Sequence, residues 1–152
     1  MAAIVKVLLA AIVMASSPAA RAGEGFGVGG GVTDEIDGQR TPVVTVSWLG
    51  ATRHPWEFSA GYLGDRDRPV SGRAPVTVFV AVSKRLTWRG WFASGGLALI
   101  DRDSDVLSGH GQFYTGAGYA GSRWTLSLRH LSNGDTGGDN LGETFVLLEY
   151  RF

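Results

Sequence analysis

The chain has 152 residues, with 14 basic and 14 acidic side chains, 23 glycines, five tryptophans, seven phenylalanines, four tyrosines and no cysteine. That length fits one domain of ordinary size. The balanced charge excludes a strongly basic nucleic-acid binder, and the absence of thiols excludes disulfides, thiolate catalysis and cysteine metal sites.

Residues 1–22 have the layout of a secretory signal peptide. Lys6 precedes the apolar run Val7–Ala15, and Ala20-Arg21-Ala22 is a small-x-small cleavage site. The run is too short to span a bilayer as a helix. Cleavage leaves residues 23–152 and removes Lys6 and Arg21, so 12 basic and 14 acidic residues remain, a net charge of −2.

Residues 23–152 alternate with period 2 in eight segments and show no helical period. The first, about Glu24–Thr33, is rich in glycine; the second is Pro42–Leu49. In the third, Trp56, Phe58, Ala60 and Tyr62 alternate with Glu57, Ser59 and Gly61. The fourth, Val76–Lys84, sets four valines against Thr77, Phe79, Ala81 and Ser83, and the fifth is Trp88–Ile100. The sixth alternates Phe113, Thr115, Ala117 and Tyr119 with Gln112, Tyr114, Gly116 and Gly118. The seventh, Arg123–Ser132, alternates Trp124, Leu126 and Leu128 with Thr125, Ser127 and Arg129, and the eighth runs from about Thr144 to Phe152. One apolar face, one small or polar face and aromatic ends predict an all-β fold, an eight-stranded antiparallel transmembrane β-barrel. The even count permits closure without an exposed edge. A soluble sandwich is the competing fold, but its core would have to hold these glycines, serines and threonines.

The connections alternate in length: 34–41, 64–75, 101–109 and 133–143 are long, whereas 50–55, 85–87 and 120–122 are short. Eleven of the 14 acidic residues fall in the long set, and Arg53, Lys84, Arg85 and Arg123 lie at the short turns. Long outer loops with short periplasmic turns are the bacterial outer-membrane pattern, and the aromatic ending Tyr150-Arg151-Phe152 resembles the C-terminal signature of such barrels. The expected location is therefore the bacterial outer membrane.

Several motifs lose their function once placed on this scaffold. Gly25-Phe26-Gly27-Val28-Gly29-Gly30 matches G-x-G-x-x-G but lies inside a strand, where no helix follows to bind a dinucleotide. Asp101-Arg102-Asp103-Ser104-Asp105 begins like a calcium loop, yet Val106 and Gln112 stand where glycine and glutamate are needed. His54 and His110 have no spaced partner, so no metal site is expected.

One constellation survives. Arg129-His130-Leu131-Ser132-Asn133-Gly134, the loop Asp135–Asp139 and Asn140-Leu141-Gly142-Glu143 supply a hydroxyl, an imidazole, carboxylates, a carboxamide and flexible backbone. These are the parts of a serine hydrolase. His130 and Ser132 are two apart on a strand, so they share a face, roughly 6–7 Å apart along the backbone. Leu128, Leu126 and Trp124 occupy that face too, so the pair is expected to look out at lipid.

His130-x-Ser132-Asn133 followed by Asn140-x-Gly142-Glu143 and a short final strand resembles the PagL family of lipid A 3-O-deacylases. The likeness is detailed over about the last 30 residues and architectural elsewhere. It implies a nucleophile at Ser132, a base at His130 and an acid at Glu143, with an oxyanion hole from the Gly134 N–H and the Asn140 side chain. Asn133 matches a motif position without an assigned chemical step. The loop is about one residue shorter than the family pattern, which leaves Gly137 and Gly138 as alternatives to Gly134. Alternation counted back from Phe152 points Glu143 inward, so a bulge or a loop position is needed to bring it to His130.

The expected activity is hydrolysis of the ester at the 3-position of lipid A in lipopolysaccharide, with no cofactor. Arg66, Arg68 and Arg73 are candidates for its phosphates. The alternative is a non-enzymatic barrel that binds surfaces or lipids through its loops. No nucleic-acid partner is expected, and a homodimer is left open.

Overall fold

The computed structural model describes residues 24–33, 40–68, 72–104, 106–136 and 141–152. The leader expected at 1–22 and the loop residues Asn140, Gly137 and Gly138 lie outside the described residues. The strands are β1 (Gly25–Thr33), β2 (Pro42–Leu49), β3 (Trp56–Leu63), β4 (Arg66–Arg68), β5 (Gly72–Ala74), β6 (Thr77–Trp88), β7 (Trp91–Ile100), β8 (Gly111–Ala120), β9 (Trp124–Ser132) and β10 (Glu143–Arg151). Eight of them close into one antiparallel barrel in the order β1-β10-β9-β8-β7-β6-β3-β2. Pairing of the first strand with the last, from Gly27 opposite Arg151 to Thr33 opposite Phe145, satisfies the ladder all the way round.

The outer wall is apolar because side chains alternate across each strand. Val80, Leu97, Leu99, Leu126, Leu128 and Leu148 are all at least half exposed there. All five tryptophans lie on this wall close to the short turns, at positions 48, 56, 88, 91 and 124, and form an aromatic girdle at that end. Trp91 packs edge-on to Tyr119 at 5.3 Å, and Trp124 to Tyr150 at 4.8 Å.

Inside, the barrel has two layers. Under the long loops Phe79, Tyr114, Leu131, Phe145 and Leu147 pack together, and Val106 and Leu107 of the loop 101–110 join the same core. Towards the short turns the filling is charged. Glu57 accepts from Arg85 Nε at 2.8 Å, Arg129 Nη2 at 2.7 Å and Ser83 Oγ at 3.2 Å. Glu149 accepts from Ser47 Oγ at 2.9 Å and lies 3.6 Å from Arg85. The Phe92 ring lies beneath the Arg85 and Arg129 guanidiniums, at 4.2 and 5.4 Å.

Two local expectations are corrected. The short turn expected at 85–87 is the two-residue turn Arg89-Gly90, with φ of 50° and 86°, so β6 continues through Lys84 and Arg85. Left-handed φ at both central residues matches the twist of a tight hairpin. Arg85 does not sit at a turn but points inward onto Glu57, which is why the strand runs past it. The second long connection also carries the small hairpin β4–β5.

Candidate active site

β9 and β10 run side by side, with His130 opposite Thr144 and Leu131 opposite Glu143. On its other edge β9 sets His130 opposite Thr115 and Ser132 opposite Phe113. Leu131 is fully buried inside, whereas Leu128 is half exposed outside. The register therefore puts His130, Ser132, Thr144, Thr115 and Phe113 together on the outer wall, at its long-loop end. That is the face expected from the alternation.

The His130 ring is held from two sides. Its Nδ1 lies 2.9 Å from Thr144 Oγ1. Gly142, at φ 72°, packs so closely that a β-carbon there would stand 2.6 Å from His130 Cε1 and 2.9 Å from Nε2. A glycine is needed at this point for both reasons: the left-handed φ and the absence of room. Gly142 is anchored in turn by its N–H to the carbonyl of Val106, 3.1 Å away.

Glu143 does not meet His130. As the first residue of β10 it points into the barrel, where it is buried and ion-paired with Arg66 of β4. The same guanidinium reaches the Thr33 hydroxyl, so Arg66 joins the rims of β1 and β10. No bulge intervenes, because the pairing of β9 with β10 is continuous from Glu143 to Tyr150. Arg66, buried in this clamp, is also withdrawn from the phosphate-binding role expected of it. The side chains of Arg68 and Arg73 lie outside the described residues.

Beyond Ser132 the chain makes a tight turn over Asn133–Thr136. Gly134 and Asp135 both have φ of 60°, and the Thr136 N–H returns to the Asn133 carbonyl at 3.3 Å. Asn133, which had no assigned role, fixes this turn. Its Nδ2 donates to Ser108 O at 2.7 Å and Ser108 Oγ at 3.0 Å, and its Oδ1 accepts the Asp135 N–H at 2.9 Å. The turn aims the Gly134 N–H at Ser132 Oγ, 3.1 Å away. Among the described residues no hydrogen bond joins Ser132 to His130. Asn140, the other expected oxyanion donor, lies outside the described residues.

An apolar groove of about 540 Å3 crosses the outer wall beside this turn, lined by Phe58, Val80, Val82, Leu97, Leu99 and Phe113 and reaching Asn133 and Thr136. Phe113 is the cross-strand partner of Ser132, so the groove ends next to the serine. Among the described residues no group of three or more histidine, aspartate or glutamate side chains is placed to hold a metal ion. His54 Nδ1 accepts the Thr87 N–H at 3.1 Å, and His110 Nδ1 contacts Ile100 O at 3.0 Å; both tie loops to strands.

The class defined by these features is a closed eight-stranded β-barrel with an imidazole, a serine hydroxyl and a backbone N–H gathered on an apolar outer wall. A model of the family described as PagL, lipid A 3-O-deacylase, matches residues 26–152, and the chain belongs to that family. It is thereby a hydrolase acting on an ester bond of lipid A. Comparison with curated proteins and with solved structures gives no match.

Proposed function

We propose that this protein is an outer-membrane esterase that removes the 3-O-linked acyl chain of lipid A, with Ser132 as nucleophile and His130 as general base. The observation that carries the reading is the common placement of His130 and Ser132 on the apolar outer wall, at the end of an apolar groove. Substrate then arrives sideways within the outer leaflet, its acyl chain along the wall and its sugar ester level with Ser132. The long acidic loops face outward, the short turns and tryptophan girdle face the periplasm, and residues 1–22 are a leader removed on export.

In the reaction His130 Nε2 takes the Ser132 proton as Oγ attacks the ester carbonyl carbon. The tetrahedral oxyanion, on the former carbonyl oxygen, is held by Asn140 and by the Gly134 N–H, which bonds Oγ before attack and turns to the carbonyl oxygen as Oγ becomes acylated. Collapse breaks the ester C–O bond, and His130 returns the proton to the departing 3-hydroxyl of the sugar. Water, deprotonated by His130, then attacks the acyl-serine, releasing the 3-hydroxy fatty acid and restoring Ser132. This is the acyl-transfer sequence that a serine–histidine pair supports on unrelated folds. Membership of a deacylase family favours this reading over a non-enzymatic barrel.

The test is mass spectrometry of lipid A incubated with purified protein in detergent. Loss of the 3-position acyl chain is expected with the wild type. Ser132→Ala and His130→Ala should abolish it while both still show the heat-modifiable gel mobility of a folded barrel. Near-normal activity in either variant removes the proposed pair.

A further inference from the structure

We propose that the hydroxyl of Thr144, and not a carboxylate, is the group that positions His130 for catalysis; this rests on the deacylase reading above. Thr144 faces His130 directly across the β9–β10 ladder, the arrangement in which two side chains on one face come closest. Its Oγ1 is 2.9 Å from Nδ1. A β-branched threonine on a strand has few χ1 choices, so the hydroxyl is held at that point by the backbone. Accepting the Nδ1–H leaves the lone pair on Nε2, the tautomer a base needs to receive the serine proton. Gly142 bears on the Cε1–Nε2 side of the ring and Thr144 on the Nδ1 side, so the imidazole is held on both.

The nearest acidic residue on β10 is committed elsewhere. Glu143 lies behind the wall, buried against Arg66. On the outer side His130 is flanked by Thr115 and Ala117 of β8, Thr144 and Val146 of β10, Leu128 and Ser132 of its own strand, and Gly142. None of these titrates near neutral pH. The charged neighbours Arg129 and Glu143 point into the barrel, and Asp135 belongs to the exposed turn beyond Ser132. A hydroxyl orients the ring without placing a carboxylate on a wall that faces lipid, where polar substitutions are costly. It also stabilises the developing imidazolium less than a carboxylate, so rate is given up for compatibility with the wall.

The test compares kcat, KM and the pH–rate profile of four variants, each confirmed as folded by heat-modifiable mobility. Thr144→Val keeps the shape and removes the hydrogen bond. It should lower kcat about tenfold or more with little change in KM, since about 1.4 kcal/mol of lost orientation is a tenfold rate. Thr144→Ser should restore most of that loss. Thr144→Asp puts a negative charge beside the imidazole, favours its protonated form and moves the acid limb of the profile upward by roughly one pH unit or more. Glu143→Gln should leave that limb in place. Should Thr144→Val match the wild type while folded Glu143→Gln loses activity or shifts the limb, the inference is overturned and the deacylase reading stands. Wild-type protein inactive on lipid A overturns both.

Discussion

Arg129 and His130 are neighbours in sequence and stand on opposite sides of a wall one residue thick. Inside, Arg129 donates to Glu57, Ser94 and Ser127 and lies over Phe92 and Tyr114. Outside, His130 has one hydrogen-bond partner among the described residues, the Thr144 hydroxyl. Each guanidinium nitrogen of the inner group is engaged by the fold. On the proposed mechanism the outer group keeps a ring nitrogen for chemistry. On that reading stability and activity are divided by face, so that each face can be broken separately.

The largest effect belongs to the outer wall. Ser132→Ala should lower the deacylation rate by several orders of magnitude, as loss of a nucleophile does elsewhere. The urea midpoint of the barrel in lipid vesicles should stay where it is, because Ser132 ends its strand and its hydroxyl bonds, among the described residues, only the Gly134 N–H of its own turn. A large fall in that midpoint would mean that the outer residues carry the fold as well.

The complementary break is Glu57→Ala. It leaves Arg85 and Arg129 buried without the carboxylate they share. Removing one partner of a buried ion pair costs about 3–5 kcal/mol. The urea midpoint should fall accordingly, while activity per folded molecule remains. Loss of activity in a fully folded population would show that the inner cluster reaches the site.

How far the sequence disclosed this division follows from period 2. The alternation of Trp124, Leu126 and Leu128 with Thr125, Ser127 and Arg129 is enough to separate the faces, and the outward placement of His130 and Ser132 follows by counting. The same count from Phe152 puts Thr144 outside and Glu143 inside. The outward position of Thr144 is therefore legible in the sequence, whereas its pairing with His130 depends on the β9–β10 register, which no local pattern fixes. Arg85 lies inside β6 rather than at a turn, because in sequence a charge that fills a barrel interior is indistinguishable from one that faces water. Arg66 raised the same difficulty: its partners Thr33 and Glu143 lie 33 and 77 residues away, beyond any local pattern.

Leu128→Lys tests the outer wall as a lipid surface. Leu128 is mid-strand, half exposed, and lies two residues from His130. A lysine on the lipid face near the bilayer midplane costs about 2–4 kcal/mol. Stability should drop by that order in vesicles and recover largely in detergent, where the head group reaches water. Equal stability in both media would contradict lateral contact with lipid at this position.

The smallest expected effect is the most local. Gly142→Ala introduces a methyl where His130 Cε1 and Nε2 already lie 2.6 and 2.9 Å away, at a φ of 72° that alanine adopts with strain. The left-handed conformation alone costs roughly 1–2 kcal/mol. Gly142 precedes β10 and the buried Glu57 cluster is distant from it, so the strain falls on the loop and on the imidazole. Displacing the ring pulls Nδ1 from Thr144 and, on the proposed mechanism, carries Nε2 away from the Ser132 proton. A misplacement of about 1 Å can lower a rate by up to about a hundredfold. The expected result is therefore a tenfold to roughly hundredfold fall in kcat, with heat-modifiable mobility retained and the urea midpoint shifted by no more than the loop strain. Full activity in the folded variant would show that His130 is free to move without loss, and that close packing around its ring is not what positions the base.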